Sequence, residues 1–154
     1  MRCPAIAHRL LLTLALGLAV SPHLSAQGSA HPDLSGTWIF NAAKSEPAAR
    51  LANRTETIAI TCTNDTIELQ YSANGKDSTQ AFIIDAKEHV GKQAGAYTKA
   101  AWKGSELQTE IRATLSDGTT LFDLKTHWSV SKDGRVLKRV EDGPARRVLV
   151  YDKQ

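Results

Sequence analysis

From residue 35 onward the chain runs in short stretches of alternating apolar and polar positions, separated by turn-forming residues. Period-two alternation marks a strand with one buried and one wet face. Over 119–130, Phe122, Leu124, Thr126, Trp128 and Val130 share one side; Leu121, Asp123, Lys125 and His127 share the other. Over 106–115, Leu107, Thr109, Ile111 and Ala113 oppose Glu106, Gln108, Glu110 and Arg112. Over 66–73, Ile67, Leu69 and Tyr71 oppose Glu68, Gln70 and Ser72. Further strands are predicted at 35–40, 56–62, 77–85, 96–102, 135–141 and 146–152, about nine in all. Asn74-Gly75 is the strongest hairpin signal, because both residues accept the positive φ of a type I′ turn. Residues 41–55 lack strand character, and their Ala, Lys and Arg content allows a short helical turn near 47–53. Residues 86–95 read as a looser connection with room for one short strand.

Closely spaced strands with no helical period predict an all-β fold: an up-and-down antiparallel meander closed into a barrel. Closure removes the exposed edges that a flat sheet of this size would leave. Cys62 shares the face of Ile58 and Ile60, so it is expected inside as an inert thiol. The last strand is apolar on both sides (Val148, Leu149, Val150, Tyr151), which predicts that another element covers its outside.

The first 26 residues follow a different logic. Arg2 and Arg9 precede and flank the start of an apolar run at 10–20 (LLLTLALGLAV), and small and polar residues lead to Ala26. That order is an export signal, cut after Ala26 or Ala30. The run is too short for a bilayer span, which needs roughly 20 apolar residues. The expected organisation is a signal peptide at 1–26, a flexible mature N-terminus at 27–34 (QGSAHPDL), and one barrel domain at 35–154, exported to the periplasm or secreted. The mature part has no second apolar run long enough to cross a membrane. Cys3 leaves with the signal, so Cys62 has no partner for an internal disulfide. The chain has 19 Lys+Arg against 16 Asp+Glu, and two of those basic residues lie in the signal, so the mature balance is nearly neutral. Arg135, Lys138, Arg139, Arg146 and Arg147 form a basic run, but Glu141 and Asp142 interrupt it. It reads as a solvated mixed-sign surface and not as a nucleic-acid footprint.

Gly36-Thr37-Trp38 in the first strand, followed by a loop and a meander, resembles the lipocalin pattern. The longer phrases DLSGTWIFNAAKS (33–45), WKG (102–104), HWSVSKDGRVLKR (127–139) and the terminal VYDKQ are similar to small exported bacterial proteins described as lipocalin-like, of the calycin type. The resemblance covers most of 33–154. It implies a barrel of eight to ten strands, with Trp38 plugging one end beside Gly36. It also implies an arginine from a late strand packed over that indole: Arg139, which alternates with Leu137, or else Arg147. A cation over an indole face contributes about 0.5–2 kcal/mol. The chain departs from many lipocalins in lacking paired cysteines and in its shorter length.

Three functions are open to such a barrel. The first is non-catalytic binding of a small apolar ligand inside it. Phe40, Tyr71, Trp102, Phe122 and Trp128 would supply flat walls, with hydroxyls from Thr98, Thr109 and Thr126. Tyr71, Trp102, Phe122 and Trp128 are the candidate ligand-binding residues, and the competing reading is that they fill a solid core. The second is a protein-interaction or inhibitor module acting through 41–55 and 86–95. The third, an enzyme, has least support. His31, His89 and His127 have no metal-ligand spacing. Ser129-Val130-Ser131-Lys132 fits Ser-x-x-Lys only in letters, because it ends a strand where that motif needs a helix. No cofactor or metal is expected.

Overall fold

Ten antiparallel strands follow one another around a single sheet in the computed structural model, which describes residues 31–154 apart from Lys92. The export segment at 1–26 and residues 27–30 lie outside the described residues. The strands are β1 (Gly36–Phe40), β2 (Glu56–Cys62), β3 (Thr66–Ala73), β4 (Lys76–Ile83) and β5 (Glu88–Val90). They continue as β6 (Ala96–Lys103), β7 (Glu106–Thr114), β8 (Thr120–Val130), β9 (Val136–Asp142) and β10 (Arg147–Lys153). The order around the sheet is β4-β3-β2-β1-β10-β9-β8-β7-β6-β5. Successive hairpins build most of it, and β1 joins β10 through Trp38↔Lys153 and Phe40↔Tyr151. This is the predicted meander, a nearly closed lipocalin-like barrel. A seam remains between β4 and β5, bridged where Ile84 meets Ala100 in parallel and Ala86 N–H donates to Ala100 O at 3.0 Å.

The alternation fixes the inside. Ile58, Ile60, Ile67, Leu69, Phe82, Leu107, Trp128, Leu137, Leu149 and Tyr151 are buried in one cluster, each on the face that period two assigns. Asn74 and Gly75 take φ of 50° and 75°, the conformation required by the β3–β4 turn. Cys62 keeps its inward face but is only half-buried; burial, and then Asp33, raises its thiol pKa.

The predicted helical turn is present as α1 (Ala48–Leu51), preceded by a 3-10 turn (Ala42–Lys44). The segment between β1 and α1 lies along β10, as the two apolar faces of that strand require. Ser45 Oγ accepts from Val150 N–H at 2.9 Å, and Glu46 pairs with Val148.

Chain direction sorts the two ends. At one end sit α1 and the β3–β4, β5–β6, β7–β8 and β9–β10 turns. At the other, a plug forms from the segment before β1. Leu34 is completely buried, Trp38 Nε1 donates to Leu34 O at 3.0 Å, and His31 stacks on Trp102 with ring centroids 4.6 Å apart. Within the described part of the expected flexible lead, His31 to Leu34, Leu34 is buried and Asp33 is exposed, because a leucine there has barrel interior to enter.

Candidate functional site

Gly36 and Trp38 lie at the plugged end, but the cation over Trp38 is Lys153, with Nζ 5.1 Å from the ring centre. Arg139 does not fill that role. The register explains why: Lys153 is the ladder partner of Trp38, whereas Arg139 is the partner of Trp128. Gly36 has φ of +134°, and a Cβ there would meet Lys153 Cε at 2.8 Å, so the glycine makes room for the lysine stem.

Arg139 instead crosses the interior toward the α1 end. Its guanidinium lies 5.1 Å from the centre of the Trp128 ring and 5.3 Å from that of Tyr71. Its Nη2 is 2.5 Å from Glu141 Oε1, and its Nη1 is 3.5 Å from Glu56 Oε1. Tyr151 O–H donates to the same Glu56 oxygen at 2.5 Å, and Arg54 pairs with Glu56 Oε2. Arg147 Nη2 is 2.5 Å from Glu141 Oε2. Five charges thus alternate in sign across the barrel: Arg54, Glu56, Arg139, Glu141, Arg147. The mixed-sign surface expected over 135–147 is corrected here. Glu141 is only 2 % exposed, because it and Arg139 share the inward parity of Leu137 and find opposite charges inside. Burying such charges is tolerable only when they are paired.

The cluster shifts its members. Burial pushes the Tyr71 phenol up to about 12. Burial also raises the Tyr151 phenol, helped by Glu56. Burial works against the Arg139 charge, yet Tyr71, Tyr151, Glu141 and Glu56 raise its pKa overall. Arg139 Nε has no hydrogen-bond partner among the described residues.

The other predicted ligand contacts scatter. Trp128 is buried, its Nε1 donating to Thr109 Oγ1 at 3.0 Å. Trp102 lies at the plugged end under His31. Phe122 is 49 % exposed near the opposite end of β8 from Trp128, roughly 20 Å along the strand. Only Tyr71 and Trp128 meet, through Arg139. Thr98, Thr109 and Thr126 are buried as predicted.

Above the ionic chain the barrel opens. A cleft of about 380 Å³ lies between α1 and the β9–β10 turn. Pro47, Leu51, Leu124 and Pro144 give it apolar walls, with Glu141 and Arg147 among its lining. Arg50 and Arg146 also line it, so three guanidinium groups share the cleft with one carboxylate. The sequence offers 41–55, which contains α1, as an interaction segment and gives the β9–β10 turn no role; the inward parity of Glu141 is the clue that joins the two.

The outer wall is a different surface. A depression of about 330 Å³ over β6–β8 is lined by Lys99, Ala101, Lys103, Gln108, Glu110, Lys125 and His127, with Thr109 and Thr126. His127 is held between Glu106 (2.7 Å) and Asp142 (3.1 Å), and His89 faces Asp85 at 2.9 Å. The His127 hydrogen bond holds the Glu106 carboxyl below its ordinary range. Among the described residues no group of three His, Cys, Asp or Glu is placed to hold a metal ion.

No protein-family model and no curated protein sequence matches this chain. Solved structures do match its fold. A fatty acid transporter, REP1-NXSQ, superposes with a TM-score of 0.59 at 15% identity, covering 79% of this chain and 96% of that one. The apo form of Caenorhabditis elegans lipid binding protein 8 gives 0.60 at 12% identity, with 78% and 94% covered. The wild-type fluorescent protein UnaG gives 0.57 at 15% identity, with 79% and 97% covered. At such identities the likeness establishes the fold alone: a ten-stranded, nearly closed antiparallel barrel.

Proposed function

We propose that this chain is an exported, non-catalytic binding protein for a small apolar ligand, held at the open α1 end of the barrel. The observation that carries this reading is the cleft between α1 and the β9–β10 turn. It has apolar walls, and its volume falls within the range of roughly 300–1,000 Å³ common to small-molecule sites. The plug of Leu34, Trp38 and Trp102 leaves the α1 end as the natural entrance. Tyr71 and Trp128 are second-tier candidates, reached past the ionic chain. Trp102 and Phe122 are better read as plug and rim. Barrels of this shape in a fatty acid transporter and a lipid binding protein support the ligand class. Export rests on the positive, apolar and small-residue order of the first 26 residues.

The test is native mass spectrometry of the chain purified gently from its own host. A discrete small molecule released on denaturation is expected, from a protein whose N-terminus begins after Ala26 or Ala30. Leu124→Trp, which fills the cleft, should lose that molecule while keeping the fold. A clean apo mass that persists after incubation with lipids and small aromatic compounds would overturn the reading.

A further inference from the structure

The charge arrangement specifies which end of a ligand stays outside. Inside the barrel both Nη atoms of Arg139 already face protein carboxylates, Glu141 and Glu56. Arg54 pairs with Glu56 Oε2, and Arg147 lies 2.5 Å from Glu141 Oε2, an oxygen that no hydrogen bond satisfies among the described residues. An acid entering this region would have to compete with Glu141 and Glu56 for Arg139, the most deeply placed of these cations. Arg139 Nε, buried without a hydrogen-bond partner among the described residues, offers a single N–H to a ligand acceptor. At the mouth the balance reverses. Arg50 is exposed and makes no ion pair among the described residues. Arg146 meets only Asp142, at 3.5 Å, with most of its side chain in solvent. Arg147 is 44 % exposed and can serve a ligand beside Glu141. All three line the same cleft as Leu51, Leu124, Pro47 and Pro144.

We infer that the cleft takes a compact organic acid, its carboxylate at the rim among Arg50, Arg146 and Arg147 and its apolar body against Leu51, Leu124 and the two prolines. This inference rests on the binding function proposed above and names the ligand's head group and its orientation. Guanidinium groups suit the planar carboxylate, which they can grip through two parallel hydrogen bonds. The contacts are partly exposed, so their contribution falls with salt.

The experiment is calorimetric titration of the mature chain with octanoate, 1-octanol and octylamine, three probes of equal tail. At low salt octanoate should bind about tenfold more tightly than octanol, with octylamine weakest. Raising NaCl to roughly 0.5 M, where screening acts over a few ångströms, should erode that preference and leave octanol unchanged. Arg50→Gln and Arg146→Gln alter exposed side chains and leave the buried chain intact. Each should weaken octanoate several-fold without affecting octanol. Equal binding of the three probes would overturn the inference while leaving the binding function standing. Tightest binding of octylamine would also overturn it, making Glu141 the anchor. An acid preference that survives in the double variant would place the carboxylate elsewhere. Failure of all three probes to bind would remove the inference, and a parallel failure with lipids and aromatic compounds would remove the binding function too.

Discussion

Arg139 is the residue on which the open half of the interior depends. Its guanidinium separates Glu56 from Glu141, both of them nearly inaccessible to water. Removing one partner from a buried ionic group leaves uncompensated charge, a loss of about 3–5 kcal/mol. Arg139→Met should therefore lower the free energy of urea unfolding by that amount. Adding Glu56→Gln and Glu141→Gln should restore part of it, because in Arg139→Met each buried carboxylate is left with one guanidinium partner in place of two. If the triple variant were no more stable than Arg139→Met, the loss would lie in packing against Trp128 and Tyr71. Much of this is legible in the sequence. Alternation places Arg139 with Leu137, and carried two residues further it places Glu141 inside; carried back from Ile58 it does the same for Glu56. A charged residue ordinarily overrides such a parity argument. The pairing that rescues it joins β9 to β2, strands distant in sequence, and local periodicity holds no record of that.

At the scale of elements, the predicted strands match the observed ones to within a residue or two, and β10 has the cover that its two apolar faces demand. The three residues of β5 are too few to declare an alternation, so periodicity alone leaves that strand inside a loop. The cation over Trp38 escapes sequence reasoning because it depends on the β1–β10 register, a long-range pairing. The cover itself is held by Ser45, which donates to Asn41 O at 2.7 Å and accepts from Val150 N–H at 2.9 Å. β1 leaves β10 after Phe40, so without Ser45 the Val150 donor would be buried and unpaired. Ser45→Ala should cost about 1–3 kcal/mol in chemical denaturation, the penalty for an orphaned buried group. Lys44→Ala removes only an exposed pair with Asp152 and should cost less than about 1 kcal/mol. Equal effects of the two changes would mean that the segment is held by its rim charges and not by the buried hydroxyl.

Across the whole molecule the barrel offers two ways in: the mouth under α1 and the seam between β4 and β5. The mouth has a cleft beside it; the seam has one parallel bridge and one flanking backbone bond. β5 pairs only with β6, through Glu88, His89 and Val90, so its outer edge lacks a ladder. Amide exchange reports local opening, which is easiest where few hydrogen bonds and apolar contacts must break. In the free protein β5 should therefore exchange fastest among the strands, while β1, β9 and β10, each paired on both sides, approach the global limit. Saturating octanoate distinguishes the two routes. If the acid rests in the cleft, protection should rise in α1 and across 143–147 and stay unchanged along 84–90. A rise confined to 84–90 would mean that the ligand wedges into the wall. The arginines at the mouth would then be surface charge, and the seam would be the working feature of the fold.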